Sequence, residues 1–169
     1  MTTAEPLLVD TNVLLEATDE RRPHHRDSMA LLESANSLCL TAQVVREYLS
    51  VATRPVQVNG LGMSMPDALE NVRQFRVFIR LLPEEKPVLP EFLKLIERVP
   101  CSGKRVHDAH LVATAIAHRV RTIVSLNRDD LTPFADDVAI RTPSEVFRQR
   151  PHDGPKRRKR SSRRSRSSE

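Results

Sequence analysis

The chain has 169 residues, 39% of them hydrophobic, enough to bury a core, and a formal net charge of +5. That charge misleads, because residues 151–169 hold eight of the Lys and Arg (Lys156, Arg157, Arg158, Lys159, Arg160, Arg163, Arg164 and Arg166) against Asp153 and Glu169, leaving residues 1–150 near −1. No apolar run approaches the ~20 residues that cross a bilayer, no leader pattern opens the chain, and two cysteines are too few for a disulfide framework or a zinc site. The expectation is a soluble cytoplasmic protein, with no membrane role, whose basic character belongs to its tail.

In chain order, Leu7, Leu8 and Val9 read as a short buried strand ending at Asp10, and a helix is predicted from about Asn12. A second helix is predicted over residues 24–35, followed by a strand over residues 37–41. Over residues 42–52 the apolar positions Val44, Tyr48, Val51 and Ala52 share one helical face, and Glu47 lies on that face. Pro55, Asn59, Gly60 and Gly62 mark a loop, after which Ser64 and Asp67 resemble a capping box opening a helix through Ile79. A further helix over residues 90–99 leads through a polar loop to the most regular helix of the chain. There Ala109, Val112, Ala113, Ile116, Ala117 and Val120 repeat at helical spacing, with Asp108 at the start. Residues 122–125 and 138–141 read as two more strands.

Strands alternating with helices predict an α/β fold, a three-layer α/β/α sandwich about a central, mostly parallel sheet, over residues 1–150. Residues 151–169 have nothing apolar to pack and are predicted to be a disordered basic tail that contacts nucleic acid.

Carboxylates placed among apolar residues are the chemical signal of the chain. Asp10, Glu47 and Asp108 each interrupt an apolar pattern, and an ionised acid leaving water needs a partner or a cation. In an open parallel sheet, sites form beyond the carboxyl ends of the strands, which is where Asp10, Asn127 and the Asp129, Asp130 pair fall. A divalent ion bound by converging acids points to metal-assisted attack on a phosphodiester. The plainer readings are helix capping for Asp10 or Asp108, a surface position or an ion pair with Arg46 or a distant Arg for Glu47, a solvated turn for Asp129 and Asp130, and a packed or hydrogen-bonded side chain for His110. The chain lacks a phosphate-binding glycine loop and an identifiable Ser or Thr nucleophile relay.

Four motifs in this order resemble the PIN-domain family of Mg²⁺/Mn²⁺-dependent ribonucleases, and particularly its small bacterial toxins of VapC type. They are Val9-Asp10-Thr11-Asn12-Val13-Leu14-Leu15, Arg46-Glu47-Tyr48, the run from Val106-His107-Asp108 to Thr114-Ala115, and the run from Ile123-Val124-Ser125 to Asp130-Leu131. The resemblance implies that Asp10, Glu47 and Asp108 bind Mg²⁺ or Mn²⁺ and that Thr11 and Asn12 support Asp10. It matches Ser125 to a small hydroxyl position and puts Asn127 and Asp130 at the fourth acidic position, with Asp130 supplying charge there. It also implies an RNA substrate, a homodimer and a cognate antitoxin protein. Two other classes stay open: a degenerate PIN domain that binds RNA or protein without cutting, and a phosphatase with an aspartyl nucleophile, which would want an Asp where Asn12 stands.

Overall fold

The computed structural model describes residues 5–35, 37–84 and 87–148. Five strands, β1 (Leu7–Val9), β2 (Leu38–Leu40), β3 (Arg80–Leu81), β4 (Thr122–Val124) and β5 (Ala139–Arg141), form one sheet in the order β3-β2-β1-β4-β5. Every pairing is parallel. The inner strands are apolar along their length because both faces are covered: Leu8, Val9, Cys39, Leu40, Ile123 and Val124 are all buried.

The helices are α1 (Thr11–Thr18), α2 (His25–Ser34), α3 (Ala42–Ala52), α4 (Met65–Phe78), α5 (Val88–Arg98), α6 (Arg105–Ala117), α7 (Arg128–Leu131) and α8 (Pro143–Arg148). Packing divides them into two layers. α1 contacts both α2 and α3, α3 contacts α4 and α8 joins α2, whereas α6 packs against α5 and α7. With right-handed crossovers, the first group follows the sheet outward from β1 to β3 and the second returns to β4 and β5 over the opposite face. The predicted three-layer sandwich is thus the observed one, and its sheet is wholly parallel.

The boundaries differ from the reading in ways that have physical causes. β3 was not anticipated: its two residues are too few to show alternation, and Ile79, predicted to be helical, leads into it instead as the C-cap of α4. α7 and α8, of four and six residues, are too short for a periodic signal. Asp108 does not open α6. Lys104 occupies the N-cap position, so Asp108 stands one turn inside, and capping does not account for it. The residues of the basic tail, from Lys156 to Arg166, lie outside the described residues.

Candidate active site

The register of the sheet sets the first half of the site. Val9 pairs with Val124, so the next residues, Asp10 and Ser125, emerge side by side beyond the carboxyl ends of two adjacent strands. Backbone bonds hold them there: Asp10 N donates to Val124 O (3.0 Å) and Ser125 N to Arg141 O (2.9 Å). Asp10 caps α1, with Oδ1 accepting from Thr11 N (2.7 Å), while Oδ2 accepts from Ser125 Oγ (2.7 Å) and Asn12 Nδ2 (2.7 Å). Asn12 Oδ1 in turn accepts from Leu126 N (2.9 Å), which locks the β4–α7 loop to α1. Capping and a place at the candidate site therefore coincide in Asp10. Burial raises its pKa above the usual carboxylate value, with the nearby Glu47 adding to the rise and the Ser125, Thr11 and Asn12 hydrogen bonds opposing it.

Glu47 comes from the neighbouring strand. β2 ends at Leu40, Thr41 caps α3 by accepting from Val44 N (3.1 Å), and Glu47 follows in the second turn of that helix. Both of its oxygens are tethered, Oε2 by Thr11 Oγ1 (2.9 Å) and Oε1 by Gln43 Nε2 (2.9 Å). Gln43 Nε2 also donates to the carbonyl of His107 (2.9 Å), so its Oε1 must accept, and His110 Nδ1 lies 2.9 Å from it. That network assigns the Nδ1 proton of His110. Thr11 was expected to support Asp10; its backbone amide does so, but its hydroxyl serves Glu47. Arg46 is not the partner of Glu47.

Asp108 arrives from the other layer. α6 feeds β4, and a helix that enters a parallel strand begins over the carboxyl end of the sheet, where its first turn meets Asp10 and Glu47. Small residues Ala109 and Ala113, fully buried, let α6 lie close to the sheet. Among the described residues no hydrogen bond reaches the Asp108 carboxylate. Burial pushes its pKa up to about 6, with Asp130, Asp10 and Glu47 adding repulsion and the Lys104 ammonium opposing them. Asp130, half-buried on α7, accepts from Lys104 Nζ at 2.7 Å. Asn127 is exposed; its backbone amide donates to Ser125 Oγ (3.0 Å) and its side chain makes no hydrogen bond among the described residues.

The acids are thus brought to one rim of the sheet and feel one another's charge. Among the described residues, no three His, Cys, Asp or Glu side chains form a ready-made ion cage. The candidate donors are carboxylate oxygens, and that of Asp108 accepts no hydrogen bond among the described residues. This arrangement fits a hard divalent cation that keeps several of its waters, as Mg²⁺ does, and it does not suit a fully protein-enclosed or soft metal. Sequence reasoning missed Gln43 and Lys104. Each stands four residues before an acid, Glu47 and Asp108, and so on the same helical face, a spacing that could have drawn attention to both.

Residues 7–136 match the PIN domain family. Over 126 residues the chain is 32% identical to ribonuclease VapC48 of Mycobacterium tuberculosis (strain ATCC 25618 / H37Rv), an alignment covering 71% of this chain and 86% of that protein. The fold is similar to that of M. tuberculosis VapC20, a sarcin-ricin loop cleaving toxin, with a TM-score of 0.58 at 12% identity over 75% of this chain and 93% of that one. It is also similar to VapBC2 of Rickettsia felis bound to a DNA fragment from its promoter, with a TM-score of 0.62 at 13% identity over 80% and 97% of the two chains. The fold, the order of the four motifs and these similarities agree: the chain belongs to the PIN-domain family, among its VapC-type members.

Proposed function

We propose that the protein is a metal-dependent endoribonuclease, the toxin of a toxin–antitoxin pair, which hydrolyses RNA phosphodiester bonds with Mg²⁺ or Mn²⁺. The observation that carries this reading is the meeting of Asp10, Glu47 and Asp108, from β1, α3 and α6, at one rim of the parallel sheet. The likeness to ribonuclease VapC48 supports the choice of RNA as substrate.

Asp10, Glu47 and Asp108 would hold the ion. A divalent ion bound there supplies Lewis acidity and offsets the charge that develops on the phosphoryl oxygens during hydrolysis. The chain's own residues prepare that state. Ser125 and Asn12 fix Asp10, and Thr11 and Gln43 fix Glu47, so that each keeps outward lone pairs at a set angle. His110 holds Gln43 in the orientation that makes its amide a donor to Glu47. Asp130 adds charge at the edge of the site, and Asn127 lines its exposed side. Aromatic residues are scarce at 4%, so RNA recognition would rest on shape and phosphate contacts rather than stacking.

The same reading makes the protein a cytoplasmic homodimer held inactive by a cognate antitoxin; similarity to structures of VapBC and FitAB toxin–antitoxin complexes supports that partner. The basic tail adds a non-specific hold on RNA. The test is incubation of the purified protein with total RNA in Mg²⁺, Mn²⁺ or EDTA, with mapping of the cut ends and Asp10→Asn as control. Metal-dependent cuts lost in the variant are expected. RNA binding without cutting in either metal would replace the nuclease with the degenerate binding module.

A further inference from the structure

We infer that Lys104 is a phosphate-binding residue of this site, parked on Asp130 in the free protein and transferred to the RNA backbone when substrate arrives. The inference rests on the ribonuclease reading above and extends it to how an acidic site accepts an anionic substrate.

Lys104 occupies the N-cap position of α6, one turn before Asp108, and its Nζ donates to Asp130 Oδ2 at 2.7 Å across to α7. The pair stands at the rim, with the lysine side chain 68% and the aspartate side chain 43% exposed. The ammonium is therefore reachable by a ligand and has two further protons to donate. Asp130, Asp108 and Asp10 all act on the ammonium, and Glu47 adds to the negative charge at Asp108. A phosphodiester approaching such a region meets repulsion, and a cation at its edge is what an anionic substrate requires. Arg128, at the start of α7, is engaged by Glu145 at 2.7 Å.

An exposed ion pair of this kind adds little to stability, so exchanging Asp130 for a phosphate costs little. Lysine suits the exchange, being a compact charge on a flexible stem. In this account Asp130 keeps the ammonium near Asp108 while the site is empty of RNA, which gives the acid of α7 a use in positioning as well as in charge.

The test uses the full chain and a fluorescent single-stranded oligoribonucleotide, with Ca²⁺ replacing Mg²⁺ to hold cleavage back and gels confirming that the RNA stays intact. Affinity is read by anisotropy across a salt series. Lys104→Gln is expected to weaken binding about tenfold, the loss of one charge-assisted contact. It should also make the log-log salt slope shallower by about 0.7. Lys104→Arg restores both. Asp130→Asn, which frees the ammonium and removes a repulsive charge, is expected to tighten binding. Opposite signs for the two halves of one ion pair separate substrate contact from a structural bridge. Equal weakening in Lys104→Gln and Asp130→Asn would overturn the inference, as would an unchanged slope in Lys104→Gln. A parent protein that binds RNA and cuts it in Mg²⁺ while Lys104→Gln behaves like the parent refutes the inference alone. A parent that neither binds nor cuts RNA refutes the ribonuclease reading and this inference with it.

Discussion

Asp108→Asn is expected to stabilise the metal-free protein at neutral pH while abolishing cleavage. Burial and its acidic neighbours raise the Asp108 pKa from 3.8 to about 6. In the unfolded chain the group ionises near its ordinary value. For an acid whose native pKa is raised, stability is highest at low pH, where both states are protonated, and falls as pH climbs from about 4 to about 6. Above that range the ionised native form carries a penalty that would be about 3 kcal/mol unscreened and that solvent reaching this half-buried carboxyl reduces to about 1–2 kcal/mol. The negative charge in the first turn of α6 interacts favourably with the helix dipole and gives back about 0.3–1 kcal/mol. Asparagine loses the penalty and that small gain together, so the variant should exceed the parent by about 1 kcal/mol at pH 8 in EDTA and match it near pH 4. No hydrogen bond to the carboxylate is forfeited among the described residues. Urea unfolding at pH 4, 5, 6, 7 and 8 in EDTA reads the difference. A stability gap that does not change with pH, or a variant less stable than the parent at pH 8, would show that Asp108 is not held against a native-state charge penalty and would refute the electrostatic account of the site.

Three further outcomes are expected. Mg²⁺ or Mn²⁺ should raise the melting temperature, because a ligand of the folded state stabilises it by RT ln(1 + [L]/Kd); Asn127→Ala should diminish the effect less than Asp108→Ala, and calorimetry showing no binding at millimolar metal would contradict the donor set. Thr11→Val removes the hydroxyl that holds Glu47 Oε2 at 2.9 Å, and cleavage should drop about 10- to 100-fold, as for other outer-shell supports of a metal ligand; activity equal to the parent would mean that Glu47 needs no such tether. Deleting residues 151–169 removes eight Lys and Arg and should flatten the salt dependence of RNA binding, by about 3 in log-log slope if four contacts are lost, without moving the cut sites. Shifted cut sites would mean that the tail reads sequence.

Much of this protein could be read before folding was considered. Buried strands such as Leu38–Leu40 are apolar throughout because helices cover both faces of the sheet, and α6 buries the predicted Ala109, Val112 and Ala113 together with Leu111, Thr114 and Ala115, because α5 packs on it as well as the sheet. Those patterns are local, and they sufficed to place Asp10 at a strand end and Glu47 inside α3, while Asp108 fell one turn past the start of α6. β3, α7 and α8 escaped because two, four or six residues carry too little periodicity to stand out from a loop. An isolated Asp10 or Asp108 also looks the same as a helix cap in sequence. Only the positions of the N-caps separated them, with Asp10 capping α1 and Lys104 taking that place on α6.

The chain order of residues thus determined the layers, the parallel sheet and which carboxylates stand where an acid is costly, since those follow from periodicity and from the price of desolvating charge. Tertiary structure decided which groups meet. The register of β1 on β4 sets Ser125 beside Asp10, the crossing of α3 and α6 joins Gln43 to the carbonyl of His107 and to His110, and α7 brings Asp130 to Lys104. Those partners are 26 to 115 residues apart along the chain. Hydrogen bonds act over about 3 Å, and no local pattern encodes which distant side chains the sheet will carry to that distance.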